Sequence, residues 1–177
     1  MFDYPKTRKT KICIVVGKVV PVKNYSLLLK SFAELKNDDI ICIVIGNKST
    51  EYYKKIKNSN IGNVNFIGLQ SEIADFLILS DLFLMTSLNE GLPISALEAM
   101  YYGKPIITTP AGGMVDLIKN NINGHISKTF EVDEYVNLIK KYLTFDDSKL
   151  DKIKENNREE FRQRYTMEIC CNNYLEI

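Results

Sequence analysis

Two carboxylates stand eight residues apart in the segment Ser87-Leu88-Asn89-Glu90-Gly91-Leu92-Pro93-Ile94-Ser95-Ala96-Leu97-Glu98-Ala99-Met100. Glu90 falls in a loop, and Gly91 gives a flexible turn after it. Pro93 suits the first position of a helix, where its missing N–H costs nothing. The N–H groups of Leu92, Ile94 and Ser95 then face the ligand space, unpaired as at any helix start. Glu98 lies inside that helix. The separation corresponds to at most about 12 Å of rise if helical throughout. Two carboxylates so spaced can grip distant parts of one elongated ligand. Carboxylates accept hydrogen bonds from paired hydroxyls, so a sugar and a ribose suit them. The same residues also read as a favourable charge near a helix start and a solvated helix glutamate.

A second group of candidates is cationic. Gly17-Lys18-Val19-Val20-Pro21-Val22-Lys23-Asn24 follows an apolar run. Gly17 allows close backbone approach to a ligand. Lys18 and Lys23 flank the turn into a helix, and ammonium groups beside a helix N-terminus form an anion site that suits a diphosphate. Two solvated loop lysines would read the same way. The loop matches neither GxxxxGK[ST] nor GxGxxG.

The elements that must position these loops are legible. Short apolar runs at Lys11–Val16, Ile40–Ile45, Val64–Ile67, Leu82–Met85, Pro105–Thr109 and His125–Ser127 have strand character. Most are near-continuous in Val, Ile, Leu and Phe, the pattern of parallel strands buried on both faces. Helical periods fall between and after them, at Tyr25–Leu35, Glu51–Lys57, Ser71–Leu79, Pro93–Tyr102, Val132–Leu143 and Lys149–Tyr165. This alternation predicts an α/β fold, a Rossmann-like doubly wound parallel sheet of about six strands with helices on both faces. Ligands of such sheets bind beyond the carboxyl ends of the strands. Both candidate loops lie there. Residues 1–177 read as one domain, with a core over about 11–145 and C-terminal helices over 146–177. Of these helices, the charged one over Asp151–Arg164 reads as a surface helix and Tyr165–Ile177 as a short terminal one.

Composition narrows the classes. The chain is 45% hydrophobic and 25% charged, with a net charge of +1. Whole-chain electrostatics therefore exclude nucleic acid as the expected partner. Of the four cysteines, Cys13 and Cys42 sit in apolar runs and read as core residues, while Cys170 and Cys171 are adjacent. No Cys/His cluster suggests a metal. His125 reads as a satisfied structural histidine. Asp38-Asp39 and Asp146-Asp147 read as turn or cap residues. Met1–Lys11 lacks an apolar signal region, and no run is long enough to span a membrane. A cytoplasmic protein is expected. Tyr52-Tyr53-Lys54-Lys55-Ile56-Lys57 could meet an acidic membrane surface peripherally or form a solvated helix with a buried tyrosine. Tyr101-Tyr102 is expected to pack against the sheet.

Glu90-Gly91-Leu92-Pro93-Ile94-Ser95-Ala96-Leu97-Glu98-Ala99-Met100 resembles the E-x7-E signature of the group 1 glycosyltransferases, retaining enzymes of the GT-B fold. Its neighbours agree in order and spacing. Gly17…Lys23-Asn24 is similar to the family's first loop. Val64-Asn65-Phe66-Ile67-Gly68 and Ser80-Asp81-Leu82-Phe83-Leu84 resemble the segments before the nucleotide pocket and the signature. Tyr102-Gly103-Lys104-Pro105-Ile106-Ile107-Thr108-Thr109, Gly112-Gly113 and Asn123-Gly124 follow. The resemblance runs from about Lys11 to Leu143.

It implies a donor-binding domain for a nucleoside-diphosphate sugar, UDP-, GDP- or ADP-linked. Lys18 and Lys23 would neutralise the diphosphate leaving group. Glu98 would bind the ribose. Glu90 and the backbone of Gly91, Leu92, Pro93 and Ile94 would contact the sugar. Ile67 would meet the base through its main chain, and Gly112 and Gly113 would border the sugar. No metal or other cofactor is implied, and no Asp-x-Asp is present. The sequence departs from the pattern at Lys18, where arginine is usual; lysine keeps the charge and loses the bidentate fork. Val22 stands for a frequent Glu, Asp116 for Glu, and Gly46-Asn47-Lys48-Ser49 lacks a second glycine and a proline. The family's N-terminal acceptor-binding domain has no counterpart here. The expectation is a hexosyltransferase half that binds donor and is inactive alone, with a glycan or lipid-linked acceptor on the missing half. The alternative is a non-catalytic nucleotide- or partner-binding module with a degenerate site.

Overall fold

The computed structural model describes residues 10–57, 63–169 and 171. Six strands form one sheet: β1 (Lys11–Val16), β2 (Ile40–Ile45), β3 (Val64–Gly68), β4 (Leu82–Met85), β5 (Ile106–Thr108) and β6 (Gly124–Ile126). All pairings are parallel and the order is β3-β2-β1-β4-β5-β6. The helices are α1 (Tyr25–Leu35), α2 (Glu51–Ile56), α3 (Ile73–Leu79), α4 (Ile94–Tyr101), α5 (Met114–Leu117), α6 (Val132–Leu143) and α7 (Asp147–Arg164).

Strand alternation divides the core into two layers. Cys13 and Val15 of β1 pack with Leu28 and Phe32 of α1 and Tyr135 and Ile139 of α6. Ile14, between them, packs with Leu77 of α3, Ala96 and Met100 of α4, and Met114 of α5. Cys13 and Ile14 are both fully buried, which is why the strands are apolar at consecutive positions. Cys13 and Cys42 are free core thiols aligned across β1 and β2, and burial pushes both thiols up.

The order places β1 beside β4. The chain runs from β1 outward through β2 and β3, then crosses back to start the other half at β4. Strand order reverses there, leaving a crevice beyond the carboxyl ends of β1 and β4. Both candidate loops open into it.

Several expectations change in detail. The single turn α5 was not legible, because four residues carry no helical period. The third helix starts at Ile73 rather than Ser71, and β6 is displaced by one residue. Pro93 is the N-cap of α4, with φ −76° and ψ 119°, and not its first helical residue. Tyr101 does not pack on the sheet: it is exposed and meets Phe161 of α7 edge-on. Asp146 caps α7 as expected, accepting from the Lys149 N–H at 2.8 Å. Tyr52 and Tyr53 of α2 pack against the core. The terminal helix expected over Tyr165–Ile177 lies largely outside the described residues, as does Cys170.

Candidate active site between the β1 and β4 loops

The first loop is fixed by its backbone. The Gly17 N–H donates to the Ile45 carbonyl at 2.9 Å. A Cβ on Gly46 would stand 2.0 Å from the Gly17 carbonyl oxygen, so only glycine there lets the two strand ends lie together. Sequence reasoning gave Gly46 no role. The signal was present: Gly17 and Gly46 each directly follow a strand, and β1 and β2 run in register. A single 3-10 turn, Pro21–Lys23, then leads to Asn24 at φ 47°, a left-handed conformation that asparagine tolerates. The turn places Lys23 beside Gly17, where an added Cβ would lie 3.8 Å from Nζ.

The second loop comes from β4 and is tied to the first. The Leu88 N–H donates to the Val22 carbonyl at 2.8 Å, and the Thr86 hydroxyl to the Lys23 carbonyl at 2.9 Å. These bonds bring the two charged groups together. The Lys23 ammonium pairs with Glu90 Oε1, and the Ser87 hydroxyl donates to the same oxygen at 2.5 Å. The Lys23 side chain is 22% exposed and that of Glu90 is 10%. A carboxylate this sheltered needs its donors. Oε2 of Glu90 has no hydrogen-bond partner among the described residues.

The third loop, after β5, closes the ring. The Thr109 hydroxyl donates to the Ser87 carbonyl at 2.5 Å. The Gly113 N–H donates to the Glu90 carbonyl at 2.9 Å. A Cβ on Gly112, whose φ is +51°, would meet that carbonyl oxygen at 2.2 Å, and one on Gly113 would meet the Gly91 oxygen at 2.1 Å. Gly112 and Gly113 are thus required by close approach. Gly91 is not: its φ is outside the left-handed region and an added Cβ would meet nothing within 4 Å. The flexible turn expected there needs no glycine.

Helix α4 supplies the last component. Its first internal bond runs from the Ala96 N–H to the Pro93 carbonyl, and no side chain caps it. The Ile94 and Ser95 amides precede that bond, so the helix start keeps its partial positive charge. Val22, Leu88, Leu92 and Ile94, all from these segments, are exposed.

The remaining candidates stand apart. Lys18 is exposed at the rim, in no ion pair among the described residues. It borders a cleft of about 180 Å³ with Gly17, Gly46, Leu69, Gln70 and Ile73. Glu98 lines a larger cavity of about 480 Å³ between α3, α4 and α7, with Ile73, Leu97, Tyr101, Phe161 and Tyr165. Burial raises the Glu98 pKa. Ile73 borders both spaces. Ile67 is half-buried in β3, and its carbonyl accepts from the Gln70 side chain at 3.3 Å. His125 lies outside the site and is not satisfied: its buried Nδ1 has no hydrogen-bond partner among the described residues. Burial, with Lys141 next, lowers its pKa.

The model of the group 1 glycosyl transferases matches residues 1–160. The chain belongs to that family. Among curated glycosyltransferases, it is 27% identical over 169 residues to the N,N'-diacetylbacillosaminyl-diphospho-undecaprenol alpha-1,3-N-acetylgalactosaminyltransferase of Campylobacter jejuni, covering 96% of this chain and 44% of that one. It is 31% identical over 125 residues to a glycogen synthase of Bacillus cytotoxicus, covering 67% of this chain and 26% of the relative. Among solved structures, Anabaena HepE in complex with UDP and glucose superposes with a TM-score of 0.86 at 22% identity, covering 95% of this chain and 48% of that chain. The chain thus spans half or less of the length of these relatives. The fold is that of GT-B enzymes. No helix among the described residues is long and apolar enough to cross a membrane.

Proposed function

We propose that this group 1 glycosyl transferase chain is a donor-binding half: it holds a nucleoside-diphosphate sugar for transfer, with retention, to a glycan or lipid-linked acceptor held by a second domain. The observation that carries the reading is the Lys23–Glu90 ion pair, set across the switch point in front of the uncapped start of α4. A diphosphate entering there meets the Lys23 ammonium and the Ile94 and Ser95 amides. Lys18 adds a second cation at the rim. Capture of Lys23 by phosphate releases Glu90 to accept from sugar hydroxyls. Glu98 sits further along α4 and accepts from the ribose. HepE, solved in complex with UDP and with UDP-glucose, favours a uridine diphosphate carrier.

The chemistry follows from charge. When the bond from the anomeric carbon to the diphosphate oxygen breaks, its electron pair stays on the diphosphate. The acceptor oxygen bonds to the anomeric carbon on the face the diphosphate leaves, and its hydroxyl proton passes to the departing diphosphate oxygen. Preorganised cations and amides stabilise the developing charge, and removing one such contact costs about 3 kcal/mol of transition-state energy. No metal is needed in this scheme. The exposed apolar residues around the mouth suit the surface of the acceptor half. Alone, this half holds only one of the two substrates and so transfers sugar poorly.

Calorimetry with UDP-, GDP- and ADP-sugars tests the reading, with Glu98→Ala as control. Binding of one class, weakened in the variant, is the expected result. No binding of any class at millimolar concentration would instead make this a degenerate or partner-dependent module.

A further inference from the structure

Ser87 is 1% exposed, buried beside Thr86 at the head of a loop whose Leu88, Asn89, Gly91 and Leu92 are exposed. Its carbonyl is held by Thr109, itself fully buried, whose own N–H donates to the Met85 carbonyl at 3.2 Å. The Ser87 backbone is therefore fixed to both β4 and β5. Its hydroxyl and the Lys23 ammonium converge on one oxygen of Glu90. The two donors differ in kind. Lys23 is a flexible chain whose charge an incoming diphosphate claims. Ser87 is short and buried, and its hydroxyl proton is already given to the carboxylate.

This asymmetry has a physical consequence for donor binding. Once Lys23 turns to phosphate, the sheltered Glu90 carboxylate loses its only ion-pair partner among the described residues. A buried carboxylate without a fixed donor is costly and moves to find one. With Ser87 in place, Oε1 keeps a partner, the carboxylate keeps its position, and Oε2 remains open to a sugar hydroxyl.

We propose that Ser87 is the positioning residue for Glu90, and that it determines sugar recognition without touching the donor. The inference rests on the donor-binding reading above. It assigns the nucleoside-diphosphate part of the affinity to Lys23 and α4, and the sugar part to a Ser87–Glu90 unit. Sugar hydroxyls then bind in order, after the diphosphate has taken Lys23 away.

The test uses the full chain, with UDP, GDP and ADP and their glucose and N-acetylglucosamine conjugates as probes, read by calorimetry. Ser87→Ala is expected to leave the nucleoside-diphosphate affinity within about twofold, while weakening the conjugate about tenfold, the usual scale of a lost hydrogen bond to a charged group. Ser87→Thr keeps the hydroxyl and should restore most of the loss. In a Glu90→Ala background, Ser87→Ala should weaken the conjugate no further, because the two act as one unit. A general structural role would instead lower both affinities and persist in that background. Where Ser87→Ala does not fold, Ser87→Cys, with a weaker donor, carries the same comparison. Equal losses for diphosphate and conjugate, or additive losses with Glu90→Ala, overturn the role of Ser87 and leave the donor reading standing. A wild-type chain that binds none of the probes overturns the donor reading and the role of Ser87 with it.

Discussion

Replacing Gly113 by alanine perturbs the crevice through the backbone alone. Its φ is −60° and ψ −8°, so alanine adopts the conformation without strain. The cost comes from contact. The new Cβ would stand 2.1 Å from the Gly91 carbonyl oxygen and 2.8 Å from its carbon, about 1 Å or more inside an ordinary carbon–oxygen separation. The obstacle is main chain, which cannot swing aside as a side-chain end would. Either the β5 loop or the Glu90–Gly91 segment must shift, and the bond from the Gly113 N–H to the Glu90 carbonyl stretches with it. Overpacking of this kind costs about 1–3 kcal/mol of stability. A displaced Glu90 also loses its hydrogen bond to the sugar, worth about tenfold in donor affinity. The assay pairs urea unfolding with calorimetric donor binding, using Gly91→Ala as the stability control. An alanine Cβ there meets nothing within 4 Å, so its unfolding free energy should stay within about 0.5 kcal/mol of wild type. If Gly113→Ala matches wild type in both stability and donor affinity, the close approach of the β5 loop does not hold Glu90, and the reasoning fails.

Three further outcomes follow from the same geometry. Lys23→Ala should weaken a nucleoside diphosphate by about 2 kcal/mol, the scale of a charge-assisted contact, and the free nucleoside hardly at all; calorimetry showing equal losses removes Lys23 from the diphosphate site. Burial raises the Glu98 pKa above the ordinary glutamate range, so the acceptor carboxylate is lost on acidification sooner than usual: nucleotide affinity should fall as pH drops through that raised value, and Glu98→Gln should flatten the profile. The sign for stability is opposite, since the protonated form suits the fold better and its contribution fades as pH rises through the folded pKa. Asn157→Ala should cost about 2–3 kcal/mol in urea unfolding, because its fully buried amide donates to the Lys104 and Asn123 carbonyls at 3.0 and 2.8 Å, and donor binding should hardly change.

The sheet was legible because its strands are buried on both faces and so written in unbroken apolar runs. The rule that ligands bind beyond strand carboxyl ends then brought the Lys23 and Glu90 loops together on paper. Their pairing was not legible. They are 67 residues apart, and the contact depends on the parallel register of β1 with β4 and on backbone bonds such as Leu88 to Val22. Ser87 escaped for a related reason: a serine in a polar loop gives no sign of being buried. The glycines were read by reputation. Gly91 reads as a flexible turn and has open space around it, whereas Gly46, where a Cβ would meet the Gly17 carbonyl oxygen, reads only as the start of a loop short of a second glycine. Close approach belongs to tertiary structure, and one residue type written in sequence cannot distinguish it from a turn. Tyr101 was misplaced because α7 looked like a solvated helix. Its charged length is indeed exposed, yet Ile153, Asn157 and Phe161, spaced four residues apart, fasten it to the core, and a stripe with a polar residue at its centre does not read as an apolar face.

A donor diphosphate should take Lys23 from Glu90. A crystal structure of the chain with UDP-glucose, or with whichever nucleoside-diphosphate sugar calorimetry selects, measures this directly. The expected structure has the Lys23 Nζ on a phosphate oxygen, Glu90 Oε1 still bonded to Ser87, and Oε2 within hydrogen-bond distance of a sugar hydroxyl. A bound donor with the Lys23–Glu90 pair intact would contradict it.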